Sequence, residues 1–176
     1  MATGSKCPVC GAHGPNDMPP CGCDISAAVE YAGLIADICK LSAHDHGKRR
    51  DLEQQVFQRL GFETTVNKRG YCIRRPGESH WQSQPQILSD FGTAVSYTIG
   101  HRYGTLDHPL EQNWYIREMC ETSEPVNPNG KRVAAWAVSL AKSQKRKDGQ
   151  FNNYRYDATA ISPAAALVAA WLRTHA

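Results

Sequence analysis

The chain has 176 residues, of which 41% are hydrophobic and 21% charged, and a formal net charge of +3. That length suits one domain of ordinary size with a small appendage, and no window holds the roughly 18 consecutive apolar residues that a membrane span needs. Residues 1–46 carry two basic and five acidic side chains, a balance of −3, whereas residues 47–176 carry 18 basic and 12 acidic, a balance of +6; the surplus permits an anionic partner without demanding one.

The N-terminus, Met-Ala-Thr-Gly-Ser-Lys, has no apolar run behind it. The expectation is a chain without a secretory signal, in a reducing cytoplasmic compartment where seven cysteines do not form a disulfide set. Cys7-Pro-Val-Cys10-Gly11 is a CxxC pair closed by glycine, and Cys21-Gly-Cys23 follows after ten residues rich in turn formers. Two thiolates at the first spacing can face one tetrahedral ion, and Gly11 lets the chain turn tightly beside them. A stretch so poor in core residues cannot order itself by burial, so metal binding would supply the ordering energy. Residues 1–24 are therefore read as a segment around one structural zinc ion held by Cys7, Cys10, Cys21 and Cys23. Four thiolates close the coordination sphere and leave no position for a substrate. His13 could replace one thiolate. Four free thiols on a loose tail, or a redox CxxC without its strand-to-helix context, are the competing readings. Cys39, Cys72 and Cys120 read as small buried hydrophobes.

From Ile25 the apolar positions Val29, Ala32, Ile35, Ile38 and Leu41 recur every three or four residues and predict a helix to about Leu41. A second helix is predicted from about Lys48 to Leu60, with Leu52, Val56, Phe57 and Leu60 inward and Gly61 as its stop. Strands at Phe62–Val66 and Tyr71–Arg75 flank the turn Asn67-Lys-Arg-Gly70. Residues 76–86 read as a loop containing Trp81, and Leu88–Ile99 as a third helix. Strands are predicted at Asn113–Cys120, Val133–Ala141 and Phe151–Ala158. In the second of these, Trp136, Val138 and Leu140 point one way, and Ala135, Ala137 and Ser139 the other. Ser162-Pro163 opens a last helix with a capping serine and proline at the first helical position. The fold class is α+β: an antiparallel sheet sandwiched by helices over residues 25–176, with the small zinc-bound segment ahead of it.

Three stretches carry a resemblance. They are Leu52-Glu-Gln-Gln-Val-Phe-Gln-Arg-Leu-Gly61-Phe62, then Pro85-Gln-Ile-Leu-Ser-Asp-Phe-Gly-Thr-Ala94-Val95, then Thr159-Ala-Ile-Ser-Pro163 with the alanine-rich run to Arg173. In this order and spacing, residues 50–176 resemble the phage ABA-sandwich domain family of bacteriophage and prophage proteins. That family has no established activity and no catalytic residues. The resemblance implies a non-enzymatic phage accessory protein in the bacterial host cytoplasm, acting by binding a host protein such as a component of a defence system.

The chain also offers chemistry of its own. Lys142-Ser-Gln-Lys145-Arg146-Lys147 leads into a hairpin turn, with Tyr154, Arg155, Phe151 and Tyr156 beyond it. Cations interleaved with aromatics are the footprint of a nucleic-acid or nucleotide face. Lys142, Lys145, Arg146, Lys147, Tyr154 and Arg155 are its candidate residues, with Arg74, Arg75, Lys131 and Arg132 on neighbouring strand ends; a solvated hairpin tip is the bland reading. His44-Asp45-His46 admits a metal-dependent hydrolase, and His101 and His108, near Tyr103 and Asp107, admit proton transfer. Plain polar loops account for both. No nucleophile elbow or glycine-rich phosphate loop is present.

Overall fold

The computed structural model describes residues 25–100, 114–125 and 132–175. The cysteines Cys7, Cys10, Cys21 and Cys23, and the loop carrying His101 and His108, lie outside the described residues. The described chain runs α1 (Ile25–Cys39), α2 (His46–Arg59), β1 (Glu63–Asn67), β2 (Gly70–Arg74), β3 (Gln82–Ser83), α3 (Phe91–Tyr97), β4 (Tyr115–Pro125), β5 (Arg132–Lys145), β6 (Phe151–Ala160) and α4 (Pro163–Arg173). The class is α+β, as the sequence implies. The strands form two three-stranded antiparallel sheets, β1-β2-β3 and β4-β5-β6. Alternation along a strand says which side chains share a face, not which strand lies beside it, and so could not reveal this division.

α4 organises the core. Every residue from Ala164 to Leu172 is buried, as expected of a helix that is apolar all round. Small alanines let α1, α3, β5 and β6 all approach it. Val138 and Leu140 of β5, with Ala158 and Ala160 of β6, face this core. Ala135, Ser139 and Ala141 on the opposite face are buried too; short side chains on a central strand are shielded by the longer ones flanking them.

The end of α2 shows local chemistry setting tertiary structure. Gly61 adopts φ 83°, Gly61 N–H donates to Gln58 O at 3.0 Å, and Phe62 N–H donates to Phe57 O at 2.9 Å. This is a Schellman closure, which needs a left-handed residue where glycine costs least. Its accompanying apolar contact is the Phe57–Phe62 edge-to-face pair at 5.6 Å, joined by Tyr97 of α3 at 5.1 Å from Phe57.

Three local expectations need revising. The third helix starts at Phe91 rather than Leu88, because Asp90 caps it by accepting from Gly92 N–H and Thr93 N–H. Residues 82–83 pair with β2 as a short strand, Cys72↔Ser83 and Ile73↔Gln82. Cys120 is exposed on β4, whereas Cys72 is buried and Cys39 half-buried.

Candidate functional site

Among the described residues β5 is paired on both sides only up to Ala141, which pairs with Tyr115 of β4. Beyond it the described pairing is that of β5 with β6, through Lys142↔Tyr154, Ser143↔Asn153, Gln144↔Asn152 and Lys145↔Phe151. This stretch of the hairpin is a two-stranded arm among the described residues. Its turn is tightly closed: Arg146 N–H donates to Gln150 O at 2.7 Å, and Gly149 N–H to Arg146 O at 3.0 Å. Asp148 Oδ1 accepts from Gln150 N–H at 3.1 Å, and Gly149 takes φ 83°. Ser143 Oγ donates to Asn153 Oδ1 across the strands at 2.8 Å. Backbone pairing and side-chain bridges make this arm an ordered element.

The candidate residues are distributed around the arm. Direct pairing puts Lys142 and Tyr154 on one face, and Lys145 and Phe151 on the other. Phe151 is 60% exposed and Tyr154 39%. Arg146 lies in the turn, its guanidinium 3.4 Å from Asp148, with Lys147 beside it. At the arm's root the Lys142 ammonium lies 5.8 Å from the Trp114 ring centroid, and Trp114 in turn meets Tyr156 edge-on at 5.5 Å.

Arg155 is committed elsewhere. Its guanidinium meets Asp157 at 2.9 Å and Glu118 at 3.6 Å, and the Asp157 hydrogen bond raises its pKa further. Asp157 is held below the ordinary carboxylate range by the neighbouring Ser139 hydroxyl and then by Arg155. Arg74 ends β2 of the other sheet and Arg75 follows it; Lys131 and the Arg132 side chain fall outside the described residues. Residues 142–156 carry Lys142, Lys145, Arg146, Lys147 and Arg155 against Asp148 alone, a balance of +5 − 1 = +4.

The histidine-aspartate motif is occupied locally. Asp45 Oδ2 accepts from Ser42 Oγ at 2.7 Å, which lowers its pKa. His46 Nδ1 lies 2.6 Å from Arg49 Nη2. Among the described residues no group of three or more His, Cys, Asp or Glu gathers around a common point.

One buried cluster escaped the sequence reading. Glu53 is 0% exposed and its carboxylate meets Arg50 at 2.7 Å, while Arg50 also donates to Gln84 O at 2.9 Å. Gln84 Nε2 returns a bond to Arg50 O at 3.1 Å. The signal was present: position 53 falls one turn before Val56 and Phe57, on the inward face of α2.

Fold and site together define an α+β protein with a basic β5–β6 hairpin arm. Among the described residues no helix is long and apolar enough to cross a membrane. No family model, curated protein or solved structure matches this chain.

Proposed function

We propose that this chain acts by binding, and that the β5–β6 arm holds an anionic partner, with single-stranded nucleic acid the class its chemistry fits best. The observation that carries this reading is the arm's composition. Lys142 and the exposed Tyr154 share one face of the hairpin, Lys145 and the exposed Phe151 share the other, and Arg146 and Lys147 lie at its turn. Lysine and arginine attract a phosphate backbone, and exposed rings stack on bases without regard to sequence. The test is binding of a fluorescent single-stranded oligonucleotide over a range of salt concentrations. Affinity should fall steeply with salt and be lost on charge reversal at Lys145, Arg146 and Lys147. Salt-insensitive or absent binding refutes the reading.

A protein partner is the second reading. Tyr115 and Met119 are 51% and 43% exposed on β4, which is at the edge of its sheet among the described residues, and edge strands and exposed apolar side chains both favour protein contacts. Together with the phage ABA-sandwich resemblance this points to a host protein, such as a defence component, that a phage accessory protein would block. Co-purification from the bacterial host separates the two readings: a stoichiometric protein unaffected by the arm variant supports this one. In either case we propose one structural zinc at Cys7, Cys10, Cys21 and Cys23, supported by the CxxC-x10-CxC spacing.

A further inference from the structure

The turn between β1 and β2, together with the segment entering β3, encloses an open cleft of about 420 Å³ lined by Asn67, Lys68, Arg69, Ser79, His80 and Trp81, among others. Its volume lies in the range of small-ligand sites. Among the described residues no carboxylate lines the cleft. Neither Lys68 nor Arg69 is ion-paired among the described residues. Two unneutralised cations on adjacent positions, in a cleft that His80 also lines, make a place where negative charge is stabilised.

The cleft is preformed on two sides. Asn67 Oδ1 accepts from Arg69 N–H at 2.8 Å and from the buried Cys72 thiol at 3.7 Å, and Gly70 takes φ 93°. These contacts fix the two-residue turn that carries Lys68 and Arg69. On the other side the Arg74 guanidinium stacks on the Trp81 ring at 4.4 Å, and Arg74 is anchored to Glu63 at 2.5 Å across the strand pair. Trp81 is thereby held in place while 36% of its surface stays exposed. A fixed aromatic plate and two free cations lining one cleft match a ligand that joins an aromatic ring to a phosphate.

We propose that this cleft binds a nucleotide, with the base against Trp81 and the phosphate against Lys68 and Arg69. The site is separate from the β5–β6 arm: it lies on the other sheet and no arm residue lines it. The same chemistry can come from a free nucleotide or from one nucleotide of a single strand. Isothermal titration of the full chain with adenosine monophosphate, and separately with an oligothymidylate, distinguishes the sources, with tryptophan fluorescence as a second readout.

Lys68→Glu with Arg69→Glu should weaken binding by about tenfold or more, as expected from losing two phosphate contacts. Charge reversal at Lys145, Arg146 and Lys147 should leave adenosine monophosphate binding unchanged. Both substituted positions are exposed and Gly70 is kept, so unchanged circular dichroism shows the fold intact. Trp81→Phe, which keeps a ring, should bind more tightly than Trp81→Ala. Adenosine monophosphate binding that is lost in the double variant identifies a free-nucleotide site. Oligothymidylate binding alone, weakened by the same pair while the arm is intact, identifies a strand site. If neither probe binds, or if both bind the double variant as they bind the parent protein, the proposal is overturned.

Discussion

Glu53 Oε1 accepts the backbone N–H of Leu88 at 3.1 Å, so a carboxylate with no exposed surface pins the segment after β3 onto α2. Truncating it leaves that N–H without its acceptor and the Arg50 guanidinium without its carboxylate, though Arg50 keeps its bond to Gln84 O. Breaking a buried pair from one side costs about 3–5 kcal/mol, and less where one partner keeps solvent access. The Arg50 side chain is 26% exposed, so Glu53→Ala should cost about 2–4 kcal/mol, read from urea unfolding with an unchanged m-value. A loss below about 1 kcal/mol, the value of an ordinary hydrogen bond, would sink this account.

The same carboxylate makes a pH prediction. Burial pushes Glu53 above the ordinary glutamate range, opposed by the Leu88 N–H and by Arg50. Below about pH 4.3, the ordinary glutamate value, both the folded and unfolded chains are protonated at this position. As pH rises from there towards the folded value, the unfolded chain ionises first and stability falls. Glu53→Gln still offers an oxygen to Leu88 and does not ionise. The stability of the parent protein relative to Glu53→Gln should therefore decline across that window. A difference that stays flat, or grows with pH, refutes it.

Leu88 is tied from its other side as well. Ser162 Oγ donates to Leu88 O at 2.8 Å and accepts from Ala165 N–H at 3.0 Å. Ser162 is both the cap of α4 and a bridge to the segment held by Glu53. Ser162→Ala should cost about 1–2 kcal/mol, the usual value of a lost cap. For a chain of this size that is a fall of about 2–4 °C per kcal/mol in thermal midpoint. An unchanged midpoint would show that the cap and the bridge contribute nothing.

How much of this was legible beforehand differs by element. The Ser162-Pro163 start and the Gly61 stop were readable because capping and left-handed closure depend on local residue chemistry. The inward stripe of α2 was readable as well, but a charge within it was passed over, since the partners Gln84 and Leu88 lie more than 30 residues away. The hairpin turn of the arm was visible in the sequence after Lys147. Where its pairing with β4 ends among the described residues was not, because the register of Tyr115 against Ala141 is a non-local fact. The Trp81 cleft was hidden for the same reason: Arg74, Trp81 and the Lys68–Arg69 turn come together only when β3 pairs with β2.

On the arm, charge and aromatic stacking are separable. Each phosphate contact removed should reduce the slope of log affinity against log salt by about 0.7 for a single strand. Charge reversal at Lys145, Arg146 and Lys147 should therefore flatten the slope. Phe151→Ala with Tyr154→Ala should lower affinity about tenfold or more at any salt and leave the slope alone. Arg155→Ala should have the smaller effect on binding, because its guanidinium is already spent on Asp157 and Glu118. If Arg155→Ala is the most damaging single change, the arm is not the contact element.

The zinc proposal rests on sequence spacing alone and has its own test. Metal analysis of the purified chain should find one zinc per molecule, and Cys7→Ser with Cys10→Ser should abolish it. A chelator should release the ion and render residues 1–24 sensitive to protease while the α+β domain stays folded, because ligand binding is what would order so short and polar a segment. Nucleotide and oligonucleotide binding should survive that treatment, since a site closed by four thiolates has no coordination position to offer them. Purified protein with no zinc would remove the proposal. Zinc that survives Cys7→Ser with Cys10→Ser would instead assign the metal to other ligands.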